Sequence, residues 1–386
     1  MYLERLCLRN FRNYQECDIT FHSPVTLIVG RNAMGKTSLL ESVYFLCTGE
    51  SHRSNTAAEL IRHNTEGFAV TGYFQSDKRP GTHIRLEAVK PRQGPFRLKT
   101  DGVLQRRRSD WIGQFNVVVF SPESLDLVKG SPTFRRRWID LLLCQLNREY
   151  LDELQRYRGI LQHRNALLKQ LSIGKGVANE VSVWDGLLIE SGVALIGARF
   201  TALKRVSVVV ENTHLSLTGG MERLILEYIP GIENGGEAIS DITNLTEHFR
   251  EAVTKARRDE VRRGVTLVGP HRDDFTLALE KVDAEDEKLR ETARTYASQG
   301  QHRTIALALK LAELEYIRED TGSAPLFLLD DVLSELDVKR RAYLLSYLQG
   351  VAAQTVITAT DKDVMGDELP DVHLLTVEEG VIVDGS

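Results

Sequence analysis

The stretch Gly30-Arg31-Asn32-Ala33-Met34-Gly35-Lys36-Thr37-Ser38 restricts this chain more than any other feature. An apolar run, Val25 to Val29, leads into it, and Lys36 to Cys47 leaves it with Leu39, Leu40, Val43, Tyr44 and Leu46 at helical spacing. Strand, Gly-x-x-x-x-Gly-Lys-Thr, helix is a phosphate-binding loop in the context it requires. Gly30 and Gly35 permit a tight backbone whose N–H groups face a polyphosphate, and the helix N-terminus adds partial positive charge. Lys36 reaches toward the β- and γ-phosphates, and the Thr37 hydroxyl offers a ligand to Mg²⁺. Lys36 is expected on a surface loop, with its replacement sparing the fold.

With 386 residues the chain exceeds one simple core, so two lobes are expected. Cys7, Cys17, Cys47 and Cys144 lie far apart, which argues against zinc and disulfides and suits a reducing cytoplasm. Met1 to Arg5 is no signal peptide, and no apolar run approaches the ~20 residues of a membrane span. A net charge of −5 gives no global nucleic-acid signal, so any DNA site must be a local patch.

Residues 2–9 read as a strand, and Leu8 to Tyr14 mixes aromatics with arginines. A ring there is placed to cover an adenine and Arg12 to approach phosphates; the alternative is an edge strand with solvated arginines. Phe68–Gln75, Thr82–Val89, Pro95–Thr100 and the turn signal Asp101-Gly102 predict a small antiparallel sheet beside the nucleotide site. Arg106-Arg107-Arg108 reads as solvated or salt-bridged. Val117–Phe120 is a buried-type strand ended by Ser121-Pro122-Glu123.

Helical spacing runs from Thr133 to about Leu171, giving one helix of roughly 50 Å or two with a break. Arg135-Arg136-Arg137 sit in its first turn, where the macrodipole disfavours cations. A carboxylate such as Glu123, or else a phosphate, must compensate. A second helical region (181–210), a strand (223–229), a Gly-rich loop (231–236) and a charged helix (241–263) follow. The cations ending that helix, Lys255, Arg257, Arg258, Arg262 and Arg263, suit its C-terminus better than DNA. Without repeats or heptads, this middle portion is a compact lobe and not a coiled-coil arm. Gly269 to Asp274 reads as a hydrogen-bonded polar turn in preference to a metal site.

Ser298-Gln299-Gly300-Gln301-His302-Arg303 opens an amphipathic helix. A hydroxyl, a glycine N–H and a helix N-terminus make a second anion site, implying a sandwiched γ-phosphate. Pro325 to Asp331 has the Walker B pattern, with Asp330 directed at Mg²⁺ and Asp331 at an attacking water. Ser334-Glu335-Leu336-Asp337 follows, then a helix (339–348) and a last core strand, Thr355–Thr358.

Gly30–Ser38, Ser298–Arg303, Leu326–Asp331 and Ser334–Asp337 together resemble the ABC-type ATPase head of transporter ATPases, SMC-type proteins and DNA-repair ATPases. Within that group the chain resembles the RecF family along essentially its whole length, through Leu8–Tyr14, Val118–Asp140, Gly269–Asp274 and Leu329–Asp337. The resemblance implies an α/β ABC-ATPase head with a mixed sheet (P-loop core plus antiparallel meander) and a mainly helical second lobe without long coiled coil. Its expected bounds are 1–116 with 297–386 for lobe I and 117–296 for lobe II. It also implies ATP and Mg²⁺ as cofactors, with Gly30 to Ser38, Arg12, Ser298, Gly300 and Gln301 around the nucleotide. Thr37 and Asp330 are the implied metal ligands, and Lys36 and Asp331 the implied catalytic groups. The implied partners are a second copy of the chain joined through ATP, single- and double-stranded DNA, RecR with RecO and, indirectly, RecA, with no membrane.

Two positions depart from transporter ATPases. Asp331 stands for the usual glutamate, and Thr358 or Thr360 for a switch histidine, so slow turnover and a switch role are expected. The transporter Leu-Ser-Gly-Gly-Gln is replaced by Tyr296 to Gln301.

Overall fold

The structure is a computed structural model describing residues 2–54, 56–75, 81–176, 178–232, 241–282, 290–351, 354–365 and 371–384. It divides into two units: Met1–Leu125 with Arg303–Ser386, and Asp126–His302.

Alternating apolar residues pair β1 (Tyr2–Phe11) with β2 (Tyr14–Thr20) as a hairpin. The continuous apolar run of β3 (Val25–Val29) leads through the loop to α1 (Lys36–Thr48). β4 (Gly67–Gln75), β5 (His83–Pro91), β6 (Arg97–Thr100) and β7 (Val103–Leu104) complete an antiparallel sheet in the order β2-β1-β4-β5-β6-β7. β8 (Val117–Phe120) then turns away to the second sheet.

In the second unit follow α2 (Asp126–Lys129), α3 (Pro132–Leu146), α4 (Arg148–Ser172), α5 (Ala178–Leu217), β9 (Glu222–Ile229), α6 (Leu245–Arg263), β10 (Asp274–Lys281), β11 (Glu291–Thr292) and α7 (Ala293–Tyr296). α8 (Gln299–Thr321) carries the chain back into the first unit. There β12 (Leu326–Asp330), α9 (Val338–Val351), β13 (Thr355–Ala359), β14 (Val372–Glu378) and β15 (Val381–Asp384) finish the second sheet, ordered β15-β14-β3-β13-β12-β8. All its neighbours except β14 and β15 run parallel, which is why β12 and β13 are buried apolar runs without alternation. β1 is also clamped to the chain just before β13: Gln354 accepts from Leu3 N (2.6 Å) and donates to Leu3 O (2.9 Å).

The mixed sheet, antiparallel meander and helical second unit are the expected architecture. Several boundaries move. Val117–Phe120 belongs with the first unit because it pairs with β12, and 297–302 belongs with the second. The 133–171 helix is two helices, broken at Asn147, whose Oδ1 accepts the Tyr150 N–H at 3.0 Å as an N-cap. α6 begins at Leu245 instead of Asp241, because the Asp241 carboxylate takes the Ile242 and Thr243 N–H groups in a turn. Of the Gly-rich loop, 233–236 lie outside the described residues.

The second unit is organised around buried charge. Arg199 donates to Asp140 (2.7 Å), Asp273 (2.6 Å) and Pro270 O (2.6 Å). Full burial works against its charge, but Asp140, Tyr150 and Asp273 outweigh that and hold the proton more tightly than in a free guanidinium. Arg164 likewise binds Asp185, Glu260 and Thr266. Replacing Arg199 with Met would strand Asp140 and Asp273, and breaking such a pair costs about 3–5 kcal/mol. Urea unfolding of the full chain, followed by tryptophan fluorescence, should show a loss of that size; a loss below about 1 kcal/mol contradicts the hub assignment.

Candidate functional site

The loop between β3 and α1 is held from three sides. Asn13 Nδ2 donates to Met34 O (3.1 Å), Tyr14 OH to Gly35 O (3.1 Å) and Gly380 N to Met34 O (3.1 Å). Gly35 has φ 120°, and a Cβ there would stand 2.6 Å from Asn13 Nδ2; one at Gly30 would stand 2.5 Å from Val377 O. Both glycines are therefore demanded by close approach as well as by the turn. Lys36 Nζ donates to Gly30 O (2.8 Å) and Arg31 O (3.2 Å) and lies 3.7 Å from Asp331. At 2% exposure it is buried, which corrects the expectation of a surface side chain.

The loop borders a cleft of about 930 Å³ shared with Arg12, Arg53, Glu123 and Asp331. Phe11 and Tyr14, the rings expected to cover an adenine, are fully buried, Phe11 packing edge-on against Phe68. Hydrophobic packing and the Gly35 bond use them up. Arg12 reaches the cleft, with its guanidinium held by Glu41 (2.7 and 2.8 Å), Glu59 O (3.0 Å) and Ser54. Burial works against the Glu41 charge, but hydrogen bonds from Arg12 and Ser51 hold its carboxyl below the ordinary range.

Opposite the loop, Asp330 Oδ1 accepts two hydroxyls, Thr37 at 2.9 Å and Thr358 at 2.8 Å. Thr358 Oγ1 also accepts the Asp331 N–H at 2.9 Å, fixing that residue at φ 53°. Burial raises the Asp330 pKa against those two donors, and the charges of Asp331 and Glu123 add to the rise. Hydroxyl and carboxylate oxygens in an excess of negative charge fit a hard divalent cation. Among the described residues no cluster of three or more His, Cys, Asp or Glu could hold a metal. Mg²⁺ would thus be held by Thr37 and Asp330 and complete its shell from phosphates and water.

Glu123 is the residue that sequence reasoning missed. The sequence offers it as a partner for Arg135 to Arg137; instead Arg53 binds its Oε1 (3.2 Å), while Oε2 is buried with no hydrogen-bond partner among the described residues. Arg135 pairs with Asp274 (2.6 and 2.9 Å), and Arg136 donates to Asp273 O (2.7 Å). The available signal was that Ser121-Pro122-Glu123 ends a buried strand: β8 and β12 are parallel neighbours, so both deliver carboxylates to one edge.

In the second unit, Ser298 and Gln301 form a reciprocal cap, Ser298 Oγ accepting Gln301 N (3.2 Å) and Gln301 Oε1 accepting Ser298 N (2.7 Å). Gly300 is different: a Cβ there meets nothing nearer than Ser298 Oγ at 4.0 Å. Gly269 to Asp274 is a hydrogen-bonded turn. His271 bonds Tyr157 OH (2.7 Å) and Thr266 O (3.2 Å), and burial pushes its pKa down to about 4. Thr358 is buried in β13, whereas Thr360 is exposed just past it.

The family model for the RecF/RecN/SMC N-terminal domain matches residues 2–382. A DNA replication and repair protein RecF from Halalkalibacterium halodurans is 40% identical over 384 residues, 98% of each chain. Its counterpart from Symbiobacterium thermophilum is 41% identical over 387, covering 99% of this chain and 98% of its own. The solved structure of the recombination mediator RecF-ATP of the RecFOR pathway superposes with a TM-score of 0.89 at 30% identity, over 100% of this chain and 98% of that one. The Smc head domain from Pyrococcus furiosus bound to ScpA gives 0.57 at 17% identity over 100% and 96%, a likeness of fold alone.

Thr358→Val should leave the Asp331 N–H unpaired and destabilise the first unit by about 1–3 kcal/mol, with Thr358→Ser close to wild type. Equal stability of the two in urea would exclude the bridging role. Glu123→Gln should raise the Mg²⁺ concentration needed for nucleotide binding about tenfold, as loss of an outer carboxylate does elsewhere. Fluorescent-nucleotide titration at varied Mg²⁺ reads this, and an unchanged requirement removes Glu123 from the site.

Proposed function

This chain belongs to the RecF family, and from that premise we propose that it is an ATP-dependent, DNA-binding recombination mediator. The observation that carries the reading is the Thr37–Asp330 contact at 2.9 Å, which joins the two halves of a nucleotide site from residues 293 apart in sequence.

ATP brings the polyphosphate and Mg²⁺ the charge that polarises it. Lys36 would neutralise the β- and γ-phosphates, the N–H groups of the loop would cradle them, and Thr37 and Asp330 would hold the metal. Asp331 orients the attacking water, with its backbone fixed by Thr358. The shorter carboxylate, already 3.7 Å from Lys36 Nζ, suits slow turnover. Hydrolysis then resets a switch and does not drive continuous work.

Gly300 supports a shared site. Among the described residues a Cβ at Gly300 would meet only Ser298 Oγ, at 4.0 Å, which leaves room for close approach by a second copy's phosphate. ATP gripped by Lys36 of one chain and Ser298 of the other would close two equivalent sites across a two-fold axis. In this reading the dimer engages single- and double-stranded DNA in the cytoplasm and works with RecR and RecO to assist RecA loading at gaps.

Ser298→Arg should bind ATP with near wild-type affinity yet stay monomeric and fail to hydrolyse it. Sedimentation with ATP and ADP at several protein concentrations tests this. An ATP-bound Ser298→Arg dimer as tight as wild type would refute the shared site.

A further inference from the structure

Two polar groups near the nucleotide cleft have bonding capacity that nothing around them takes up. One is Glu123 Oε2, buried without a partner among the described residues while Arg53 holds Oε1 at 3.2 Å. The other is His52, the residue before Arg53, whose two ring nitrogens are both buried with no hydrogen-bond partner among the described residues. Leaving a buried donor or acceptor unpaired is costly. These two are chemically complementary, because a neutral imidazole carries one N–H and a carboxylate oxygen accepts.

The turn after α1 sets where His52 lies. Ser51 Oγ takes the N–H groups of Arg53 (3.0 Å) and Ser54 (2.8 Å) and donates to Glu41, which ties residues 51–54 to the helix. Arg53 and Ser54 then line the cleft, while the His52 ring packs edge-on against Tyr44, 5.3 Å between centroids.

The charges that act on the ring come from four places: Glu123 after β8, Glu41 on α1, Arg53 beside it and Lys310 on α8. Lys310 is itself held by Glu313 at 2.7 Å. Burial dominates and pushes the His52 pKa down to about 4; the two carboxylates favour a proton on the ring, and the two cations oppose it. At neutral pH His52 is therefore an uncharged donor, able to orient a carboxylate without cancelling its charge. Glu123 acts on the metal side of the cleft as well, since its charge adds to the rise of the Asp330 pKa.

We propose that His52 is a positioning residue for Glu123, taking over from Arg53 when nucleotide enters the cleft. Arg53 is a cleft cation, and phosphate competes with carboxylate for a guanidinium. Once Arg53 turns to phosphate, the His52 N–H holds Glu123 Oε2 and leaves Oε1 for the water shell of the cation on Thr37 and Asp330. An arginine or lysine in place of His52 would hold the carboxylate equally well but neutralise the charge that the cation needs. This rests on the reading of the cleft as a Mg²⁺-dependent nucleotide site.

The test is fluorescent-ATP titration of the full chain at varied Mg²⁺, a binding measurement that needs no turnover. His52→Phe keeps the packing against Tyr44 and removes the donor. It should raise the Mg²⁺ concentration for half-saturation about tenfold, with affinity at saturating Mg²⁺ and urea unfolding unchanged. His52→Asn and His52→Gln place an amide N–H near Nδ1 and Nε2 respectively, and one of them should restore the wild-type requirement. In the Glu123→Gln background His52→Phe should add nothing, because both changes remove the same contact. Multiplying effects in the double variant, an unchanged requirement in His52→Phe, or rescue by neither amide would each overturn the proposal. If Glu123→Gln alone leaves the requirement unchanged while wild type binds ATP, the proposal falls and the nucleotide site stands. Absence of ATP binding by wild type at any Mg²⁺ concentration would overturn the functional reading itself.

Discussion

Two hydroxyls converge on a single carboxylate oxygen, and the first unit is arranged so that they can. Thr37 arrives from the start of α1, Thr358 from β13, and Asp330 Oδ1 from the end of β12 receives both. A buried carboxylate is costly unless its oxygens are satisfied, and here the two donors come from stretches of chain far from each other in sequence. The parallel order β3-β13-β12 brings both donors and the carboxylate to one edge of the sheet. The same Thr358 oxygen also holds Asp331 in a left-handed conformation that a non-glycine residue adopts at a cost of roughly 1 kcal/mol. A threonine supplies this because its oxygen donates and accepts at once.

The second unit solves a different problem. Arg199 and Arg164 are both fully enclosed, and each is matched by two carboxylates and at least one further oxygen. Such networks contribute less to net stability than their short distances suggest, because burial offsets most of the attraction. What they do impose is geometry. Asp273 binds Arg199, Tyr228 and the Gly231 N–H together, so one turn ties α5, β9 and the chain beyond β9 into a single arrangement.

Most strands and helices and both halves of the candidate site were legible in the sequence because each has a local signature: alternation, helical spacing, or glycines beside a lysine; β2, β14 and β15 were not, and β14 beside β3 shows that Thr355–Thr358 is not the last core strand. What was not legible depends on which distant strands pair. Glu123 gains its place from the β8–β12 pairing, and Arg135 finds Asp274 at 139 residues' separation. Gln301 and Ser298 illustrate a third case, where residues read as anion binders also cap their own helix.

The sheet order has a consequence for how the chain is made. β3 lies between β13 and β14, both from the last portion of the sequence, and Gln354 closes on Leu3. During synthesis the nucleotide-binding strand therefore has no neighbour in its sheet until residues 355–376 have emerged. The second unit, by contrast, is one uninterrupted segment, 126–302, and can close first. At ribosomal rates the unfinished half then waits on the order of 10 s with its central strand unpaired. That interval is when the chain is most exposed to mispairing, and it follows directly from splitting one sheet between the two ends of a polypeptide.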